Sequence, residues 1–454
     1  MKKSTETIFL ATGMFVLLGV LCFCIRFFGL PLTYQAADEI PSDTTTIIFT
    51  DDSAKINGEG AKFDNDTLML SSGGRYVLSG ELNGQIRVEA TKREAVFLEL
   101  NGLTVTSNAA APLYIARAKN TTLTLNGNNV FTFTGSPAEE KIDGAIYSRD
   151  DLTIDGNGTL TVLSETGHGI VCNDSLSLLG GNLSVTAAVD GIHAHDAVTI
   201  QDISMTVSAG DDGIHAGNNK GTSVITMNSG SVTIESCYEG IEANDITITG
   251  GTVEIFPTDD GINAWNSIHL AGGDVTIINP TGIDADGLDS NGSIYISGGS
   301  LFVSLLGEGP NSALDYGSEN GGQCVISGGT VLACGSSQMA EGFSQDSPQG
   351  FIMKSVDGHA DDVVTLTDAN GQNLLTREIP AAFTSILLSA PDLTIGDTVS
   401  LKIGDTETEF TIDNSILNGN PPAGGMAPPF ANGGAVPKGL KGKPPAPQRD
   451  VPVR

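Results

Sequence analysis

The sequence predicts an all-β protein: a right-handed, single-stranded parallel β-helix of about 24 residues per coil, followed by a small C-terminal β module. Three observations predict this fold. A phrase of the form acid-Gly-Ile-x-small recurs through the middle of the chain, two short strands around a Gly-Gly-like turn follow it, and glycine makes up 57 of the 454 residues. Strands this short cannot bury a face alone, so successive repeats must stack into a solenoid.

The repeat has clear and weaker copies. Clear copies begin at Asp190, Asp212, Glu239, Asp260 and Asp286, and weaker ones at Asp143 and His168. From Gly144 to Gly287 there are six steps over 143 residues, which gives the period of about 24. Side chains alternate along a strand, so the Ile and the small residue of each phrase point inward while Gly and x point outward. The two internal ladders are therefore expected to be Ile170, Ile192, Ile214, Ile241, Ile262 and Leu288, and Cys172, Ala194, Ala216, Ala243, Ala264 and Ser290.

The chain divides into five segments. Residues 1–30 contain an uncharged run, Ile8 to Ile25, preceded by two lysines, which indicates a membrane anchor or a signal segment; we favour an uncleaved anchor. Either interpretation predicts that the rest of the chain is extracellular, tethered to the cell surface or secreted. The other segments are a linker and N-terminal cap (31–65), the β-helix (66–350), the β module (351–416) and a Gly/Pro-rich tail expected to be disordered (417–454).

Charge and cysteine content exclude several classes of function. The net charge of −32 repels nucleic acid and anionic membrane surfaces, so a partner must be neutral, cationic, or an anion bridged by a metal. Four cysteines lie beyond the N-terminal segment, too few for a disulfide scaffold in an exported chain of this length. A Cys324–Cys334 pair stays open, whereas Cys172 is expected to be a small buried hydrophobe.

Stacking places the acids of the repeat in two lines. The first, with neighbours about 5 Å apart, is Asp190, Asp212, Glu239, Asp260 and Asp286, and is thickened by Asp211, Asp259 and Asp284. The second, at the outward x position, is His193, His215, Glu242, Asn263, Asp289 and Asp315. Between Gly221 and Met353 there are sixteen Asp and Glu but no Lys or Arg. Neighbouring carboxylates at this spacing repel by roughly 3 to 4 kcal/mol, so a cation is expected between them.

Calcium suits these lines because it takes six to eight oxygen ligands, and two ligands on opposite sides of one ion can be about 5 Å apart. The alternative is a solvated acidic face. The best single site is expected at Asp284-x-Asp286-x-x-Asp289 together with Asp259 and Asp260. His193 and His215 stack on each other and are candidate zinc ligands, although two histidines on a polar face are more often ordinary surface residues.

The Asp-Gly-Ile-x-Ala coil, the Ile-Thr-Ile-x-Gly-Gly-x-Val-x-Ile strands, the β module and the tail together resemble the clostridial carbohydrate-binding domain-containing proteins of parallel β-helix fold. The resemblance covers about residues 45–416. It implies a surface-attached protein that binds acidic polysaccharide such as polygalacturonate, and also cellulose. It also implies calcium sites between coils, similar to those of family 9 pectate lyases. Asp259, Asp260, Asp284, Asp286 and Asp289 match the aspartate-rich calcium motif, but the lysine base of those lyases has no evident counterpart.

Binding is favoured over catalysis. A pectate lyase needs a Lys or Arg as base, and Lys220, in a Gly-rich loop, is the one candidate. Bound calcium can share its coordination with uronate carboxylates, so recognition of an acidic polysaccharide is expected to depend on the metal. His193, His215 and Trp265 are candidate sugar contacts, and the protein is expected to be a monomer. A calcium-dependent lyase and a purely structural or adhesive surface rod remain as alternatives.

Overall fold

The structure is a computed structural model that describes residues 43–50, 53–135 and 141–415. The N-terminal hydrophobic segment and the Gly/Pro-rich tail lie outside these ranges. Within them, the one helix is a single 3-10 turn, Ser318–Asn320, and no helix is long and apolar enough to cross a bilayer. The described chain is otherwise built from strands and the turns between them.

Three strands precede the solenoid and close its N-terminal edge: β1 (Thr44–Thr50), β2 (Ser53–Asn57) and β3 (Ala61–Asp64). The described residues then wind through about ten coils, and each coil adds to three parallel sheets, which we name faces 1, 2 and 3. Face 1 contains β4 (Thr67–Leu70), β6 (Gln85–Glu89), β8 (Leu113–Arg117), β11 (Gly144–Ser148), β14 (His168–Cys172), β17 (Ile192–Ala194), β20 (Ile214–Ala216), β25 (Leu288–Ser290) and β27 (Leu314–Tyr316).

Faces 2 and 3 follow face 1 within each coil. Face 2 contains β9 (Thr121–Asn126), β12 (Leu152–Gly156), β15 (Ser175–Leu178), β18 (Ala197–Ile200) and β21 (Val224–Met227). Face 3 contains β10 (Asn128–Phe133), β13 (Thr159–Ser164), β16 (Asn182–Ala187), β19 (Ser204–Ala209) and β22 (Ser231–Cys237). Longer strands continue across more than one face: β5 (Gly74–Asn83), β7 (Val96–Ser107), β23 (Ile241–Pro257), β24 (Ile262–Asn279), β26 (Ser293–Leu305) and β28 (Cys324–Gly335).

The register on face 1 confirms the predicted parallel solenoid. Ile192 pairs with Ile214 and Ala194 with Ala216, and the neighbouring coils continue both ladders in the same order. These side chains are buried in one continuous, mainly aliphatic core, which also contains Phe131 and Phe133. Most coils add another layer of isoleucine, valine and leucine, so the core grows with the repeat number.

The glycine of each repeat is required by the close approach of the next coil. A Cβ atom on Gly213 would lie 2.6 Å from the carbonyl oxygen of Gly240 and 2.7 Å from Cδ1 of Ile234. A Cβ on Gly240 would lie 2.2 Å from the carbonyl oxygen of Gly261. The glycine is therefore a packing requirement of the stacked coils, and the acid that precedes it lies at the same place in successive layers.

The last coil is closed by antiparallel strands. Strand β32 (Phe383–Ser389) pairs with β28 and with β29 (Phe351–Gly358). Both β29 and β32 belong to residues 351–416, for which the sequence predicts a small C-terminal module, but in the structure they join the solenoid sheet. Face 3 would otherwise end on an unpaired strand edge, which antiparallel pairing covers. The separate antiparallel sheet contains β30 (Asp362–Asp368), β31 (Asn373–Ile379), β33 (Thr398–Ile403) and β34 (Thr406–Thr411).

The four cysteines of the described ranges are free and buried. The Cys324–Cys334 disulfide that the sequence left open is not formed. Both residues belong to β28, ten positions apart, and their side chains pack into two different hydrophobic clusters. Cys172 lies in the small internal ladder between Ser148 and Ala194, as predicted.

Candidate functional site

The outward residues of face 1 form a ladder of polar side chains. Strand pairing stacks them one coil apart, and we call the set the outer ladder: Val171, His193, His215, Glu242, Asn263, Asp289 and Asp315. Its chemistry changes along the solenoid, from apolar through imidazole to carboxylate. Upstream of Val171, the same position is occupied by Tyr114 and Tyr147, which are buried in a small apolar cluster.

The acidic column, Asp190, Asp212, Glu239, Asp260 and Asp286, runs beside the outer ladder. Main-chain hydrogen bonds between the following glycines and the next coil hold the column in register. Some column carboxylates also accept a main-chain hydrogen bond through one oxygen. Oδ1 of Asp190 accepts the N–H of Asp212 at 3.3 Å, and Oδ1 of Asp260 accepts the N–H of Asp286 at 2.7 Å. Each of these acids therefore bonds to the residue that replaces it one coil later.

Three histidines surround the first acid of the column. Nδ1 of His193 lies 2.8 Å from Oδ2 of Asp190, and Nδ1 of His168 lies 3.2 Å from the same oxygen. Nδ1 of His215 lies 3.3 Å from Oδ2 of Asp212 and 3.8 Å from Oδ2 of Asp190. We call His168, His193, His215 and Asp190 the histidine cluster.

In the histidine cluster, attraction between the imidazoles and the carboxylates outweighs the effect of burial on their pKa values. Burial would raise the pKa of Asp190, but hydrogen bonds from the three imidazoles outweigh it and hold that pKa well below its usual range. Burial lowers the pKa of His215, and the carboxylates of Asp190, Asp212 and Glu242 reverse this effect and raise it to about 10. At this end of the column, imidazoles therefore lie against the carboxylates.

One coil later, carboxylates lie beside one another. Asp212, Glu239 and Glu242 place one carboxylate oxygen each within 4.8 Å of one another. Burial, followed by the charges of Glu242 and Asp212, raises the pKa of Glu239 to about 8. Burial and the Asp212 charge raise the pKa of Glu242 to about 7, although His215 opposes them. This group has only oxygen donors and an excess of negative charge.

Carboxyl groups with raised pKa values continue through the next two coils. Burial, and then the neighbouring carboxylates of the column and outer ladder, raise the pKa of Asp260 and of Asp286 to about 8 each. Their main-chain hydrogen bonds, from Asp286 and Ser312, favour the charged forms but do not compensate. Carboxylates that resist ionisation in this way are stabilised by a nearby cation.

The acids flanking the column do not hold the same position in every coil. Asp211 and Asp259 directly precede column acids, but Tyr238 occupies the equivalent position in the coil between them. Ala285, which is buried, holds that position in the next coil, so Asp284 lies one residue further out and is exposed. That Asp284 thickens the first line stays a prediction.

Three groups of described residues bring metal-ligating atoms within 4.8 Å of one another: His168 with Asp190 and His193, Asp190 with Asp212 and His215, and Asp212 with Glu239 and Glu242. The set expected to be the best site, Asp259, Asp260, Asp284, Asp286 and Asp289, is not among these groups in the described part of the chain. Asp260, Asp286 and Asp289 nevertheless share one stretch of face 1, where Asp289 pairs with Asn263 and Asp315.

The other predicted site residues lie at the margins of face 1. Trp265 follows Ala264 of the internal ladder and is 65% exposed. Lys220 is exposed in the loop after β20, where its charge acts on Asp196. Tyr295 lies on face 2, stacked on His269 with ring centroids 4.7 Å apart.

Sequence reasoning missed two residues of the site. His168 occupies the column position one coil before Asp190, and its weak copy of the repeat, His-Gly-Ile, contained that signal. Glu341 accepts hydrogen bonds from the N–H of Tyr316 at 3.2 Å and from Oγ of Ser318 at 3.0 Å, next to Asp315. It comes from the segment after the last solenoid coil, which carries no repeat signal.

Comparison with known proteins gives consistent results. A family model described as carbohydrate-binding domain-containing protein matches residues 64–304, which is more than half of the chain. A carbohydrate-binding domain-containing protein of Acetivibrio thermocellus is 35% identical over 150 residues, 31% of this chain and 52% of the relative. The chain thus spans about half the length of that curated relative. A solved polysaccharide lyase-like protein of C. thermocellum, a gadolinium derivative, is 29% identical with a TM-score of 0.46, covering 56% of this chain and 97% of the other.

Proposed function

The chain belongs to the carbohydrate-binding domain-containing protein family, and from this premise we propose that it binds acidic polysaccharide, of the polygalacturonate type, through calcium ions held along the acidic column. The observation that carries the proposal is the set of column carboxylates Glu239, Asp260 and Asp286 on face 1, whose pKa values burial and neighbouring carboxylates raise to about 8. It lies within a stretch of 133 residues, Gly221 to Met353, that contains no Lys or Arg.

Because the acidic column and a uronate chain are both negatively charged, binding between them needs a metal ion. A bare acidic column repels a uronate chain, and the chain as a whole carries a net charge of −32. A bound divalent cation supplies positive charge that the carboxylates of protein and sugar can share. The protein's own residues hold the ions at fixed intervals along a rigid solenoid, which suits a partner that is itself a linear repeat.

The donor set fits calcium. Asp212, Glu239 and Glu242 offer three carboxylates and no nitrogen or sulfur ligand, and Asp260, Asp286 and Asp289 continue the same chemistry along face 1. Calcium prefers oxygen ligands and tolerates irregular geometry, so it matches half-buried carboxylates contributed by different coils. The raised pKa values of Glu239, Asp260 and Asp286 support a cation beside these groups.

The experiment is a binding assay on a sugar array, run with calcium and again with a chelator. We expect polygalacturonate to be retained with calcium and lost with the chelator. Glu239→Gln combined with Glu242→Gln should weaken this binding, because the amide cannot replace the carboxylate charge. Glu254→Gln is the matched control, since Glu254 is an exposed acid of the same coil on face 3. Retention that is indifferent to the chelator would contradict calcium-mediated binding.

The same array tests whether the protein also binds cellulose, a neutral polysaccharide. Cellulose binding normally uses exposed aromatic rings, and Trp265 is the most prominent aromatic residue on the described surface. We propose that any cellulose binding is weaker than polygalacturonate binding and independent of calcium. We also propose that the protein acts outside the cell, where calcium and plant-type polysaccharide are both accessible, as a monomer tethered by its N-terminal segment or secreted.

A further inference from the structure

Three imidazoles from three consecutive coils direct the same ring atom towards one carboxylate oxygen. The Nδ1 atoms of His168, His193 and His215 lie 3.2, 2.8 and 3.8 Å from Oδ2 of Asp190. The rings also contact one another, with centroids 5.2 Å apart for His168 and His193 and 4.8 Å apart for His193 and His215. The stacking of equivalent positions thus converts single histidines, spread over 48 residues of sequence, into one group.

The spacing of these atoms is that of ligands around a small metal ion. Four ligands arranged tetrahedrally at zinc's bond lengths of about 2.0–2.1 Å lie about 3.3 Å from one another. The contacts of Asp190 Oδ2 with His168 and His193, at 3.2 and 2.8 Å, are hydrogen-bond contacts of nearly this length, so a metal ion would take the place of the imidazole protons and release them to solvent. The ligand atoms of His168, His193 and Asp190 all lie within 4.8 Å of each other.

We propose that His168, His193 and Asp190 bind a divalent transition-metal ion of the zinc type, separate from the calcium sites of the acidic column, with His215 beside the fourth position. Imidazole nitrogen is a ligand for zinc, nickel and copper, whereas calcium takes oxygen ligands. Face 1 would therefore hold two kinds of metal site in sequence: a nitrogen-containing one at the histidine cluster and an oxygen-only one from Glu239 onward.

The surroundings support the ligands in the way that metal sites require. Outer carboxylates face the second ring nitrogens: Oδ2 of Asp143 lies 3.7 Å from Nε2 of His168, and Oε2 of Glu242 lies 3.7 Å from Nε2 of His215. Oδ1 of Asp190 is held by the N–H of Asp212. Carboxylates placed behind metal-bound imidazoles orient the rings and strengthen the ligands. Asp190 is only 3% exposed, so water competes weakly for its oxygens.

The test is zinc titration calorimetry on the untagged full-length protein, carried out in excess calcium so that the oxygen-only sites are occupied. We expect saturable zinc binding, and His193→Ala should weaken it by about tenfold or more. His195→Ala is the matched control, because His195 lies two residues away and pairs with Asp196 alone, at 2.8 Å. Cobalt(II) in place of zinc should give the visible absorption of a nitrogen-containing, four-coordinate site, and His193→Ala should abolish it.

Two further readouts separate the outcomes. If His193→Ala unfolds the chain, circular dichroism will show it, and His168→Asn, which removes the other proposed imidazole ligand, takes its place in the titration. Calcium-dependent stabilisation should persist in both variants, so loss of zinc binding alone identifies the histidine cluster. Absence of saturable zinc binding in calcium, or equal zinc affinity in the native protein, His193→Ala and His195→Ala, would overturn the proposal.

Discussion

The main-chain N–H of Asp286 donates a 2.7 Å hydrogen bond to Oδ1 of Asp260, its equivalent in the preceding coil. Ser312 repeats the contact one coil later, with its N–H 2.6 Å from Oδ1 of Asp286. One oxygen of each carboxylate is therefore fixed by the solenoid itself, and the position of the acid does not depend on a cation. This preorganisation favours metal binding, because the ligands lose little freedom when the ion arrives.

Calcium should stabilise the folded protein. The proposed sites exist only when coils are stacked, so calcium binds the native state and not the unfolded chain, and mass action adds about 2.7 kcal/mol when free calcium is 100 times its Kd. Thermal melts in calcium should lie above melts in chelator. Superimposed melting curves would mean that the acidic column is a solvated face.

Without calcium, stability should fall as the pH rises from about 4 to about 8. Folding raises the pKa of Asp260 and Asp286 from 3.8 to about 8, so in this interval the folded state binds protons that the unfolded chain has lost. Stability is then highest below the unfolded pKa and is lost as the pH approaches 8. Urea titrations in chelator at several pH values measure this slope. Asp260→Asn with Asp286→Asn should reduce the slope and leave the part that comes from Glu239 and Glu242, whose pKa values are also raised. A slope that is unchanged in this variant would contradict the assignment.

Cys172 should be unreactive in the native protein. Burial raises the pKa of its thiol to about 12, and the side chain lies in the internal ladder of face 1. Alkylation at pH 8 followed by peptide mass spectrometry should find Cys172 modified only after denaturation. Cys237, whose pKa burial also raises to about 12, should behave in the same way and serves as an internal comparison. Rapid labelling of Cys172 in the folded chain would show that the coils open there.

Lyase activity should be absent with polygalacturonate and calcium at mildly alkaline pH. Lys220, the candidate base, is an exposed loop residue whose charge acts on Asp196 outside the acidic column. The ultraviolet absorbance of unsaturated uronates should therefore not grow with time. Steady growth that Lys220→Ala abolishes would show instead that the protein is a calcium-dependent lyase.

Most of the architecture was predictable from the sequence because a solenoid repeats one physical requirement in every coil. Each coil must place an aliphatic residue and a small residue inward, and a glycine where the next coil approaches, so the phrase around Ile214 recurs at Ile241 and Ile262. The order of the outer ladder then follows from the alternation of side chains along a strand.

The remaining features depend on contacts that leave no periodic signal. Gly144 pairs with His168, so Asp143 lies one position outside the column, because that coil has an additional residue before its isoleucine. Tyr238 interrupts the line of Asp211 and Asp259 at a corner, where coil lengths differ. Strand β32 joins the solenoid through antiparallel pairing with β28, a contact between segments some fifty residues apart that the sequence pattern does not encode.

The most direct test of the account compares two variants in calcium-dependent polygalacturonate binding: Asp286→Ala with Asp289→Ala, and Trp265→Ala. The double variant removes two carboxylates from face 1, and Asp274→Ala is its matched control as an exposed acid of face 3. The tryptophan change removes one exposed apolar contact, worth roughly 1 to 3 kcal/mol. We predict that the double aspartate variant loses binding while keeping a native β-rich circular dichroism spectrum, and that the tryptophan variant binds only more weakly. Loss of binding in Trp265→Ala with full binding in the double variant would contradict the metal bridge and place recognition on an aromatic surface.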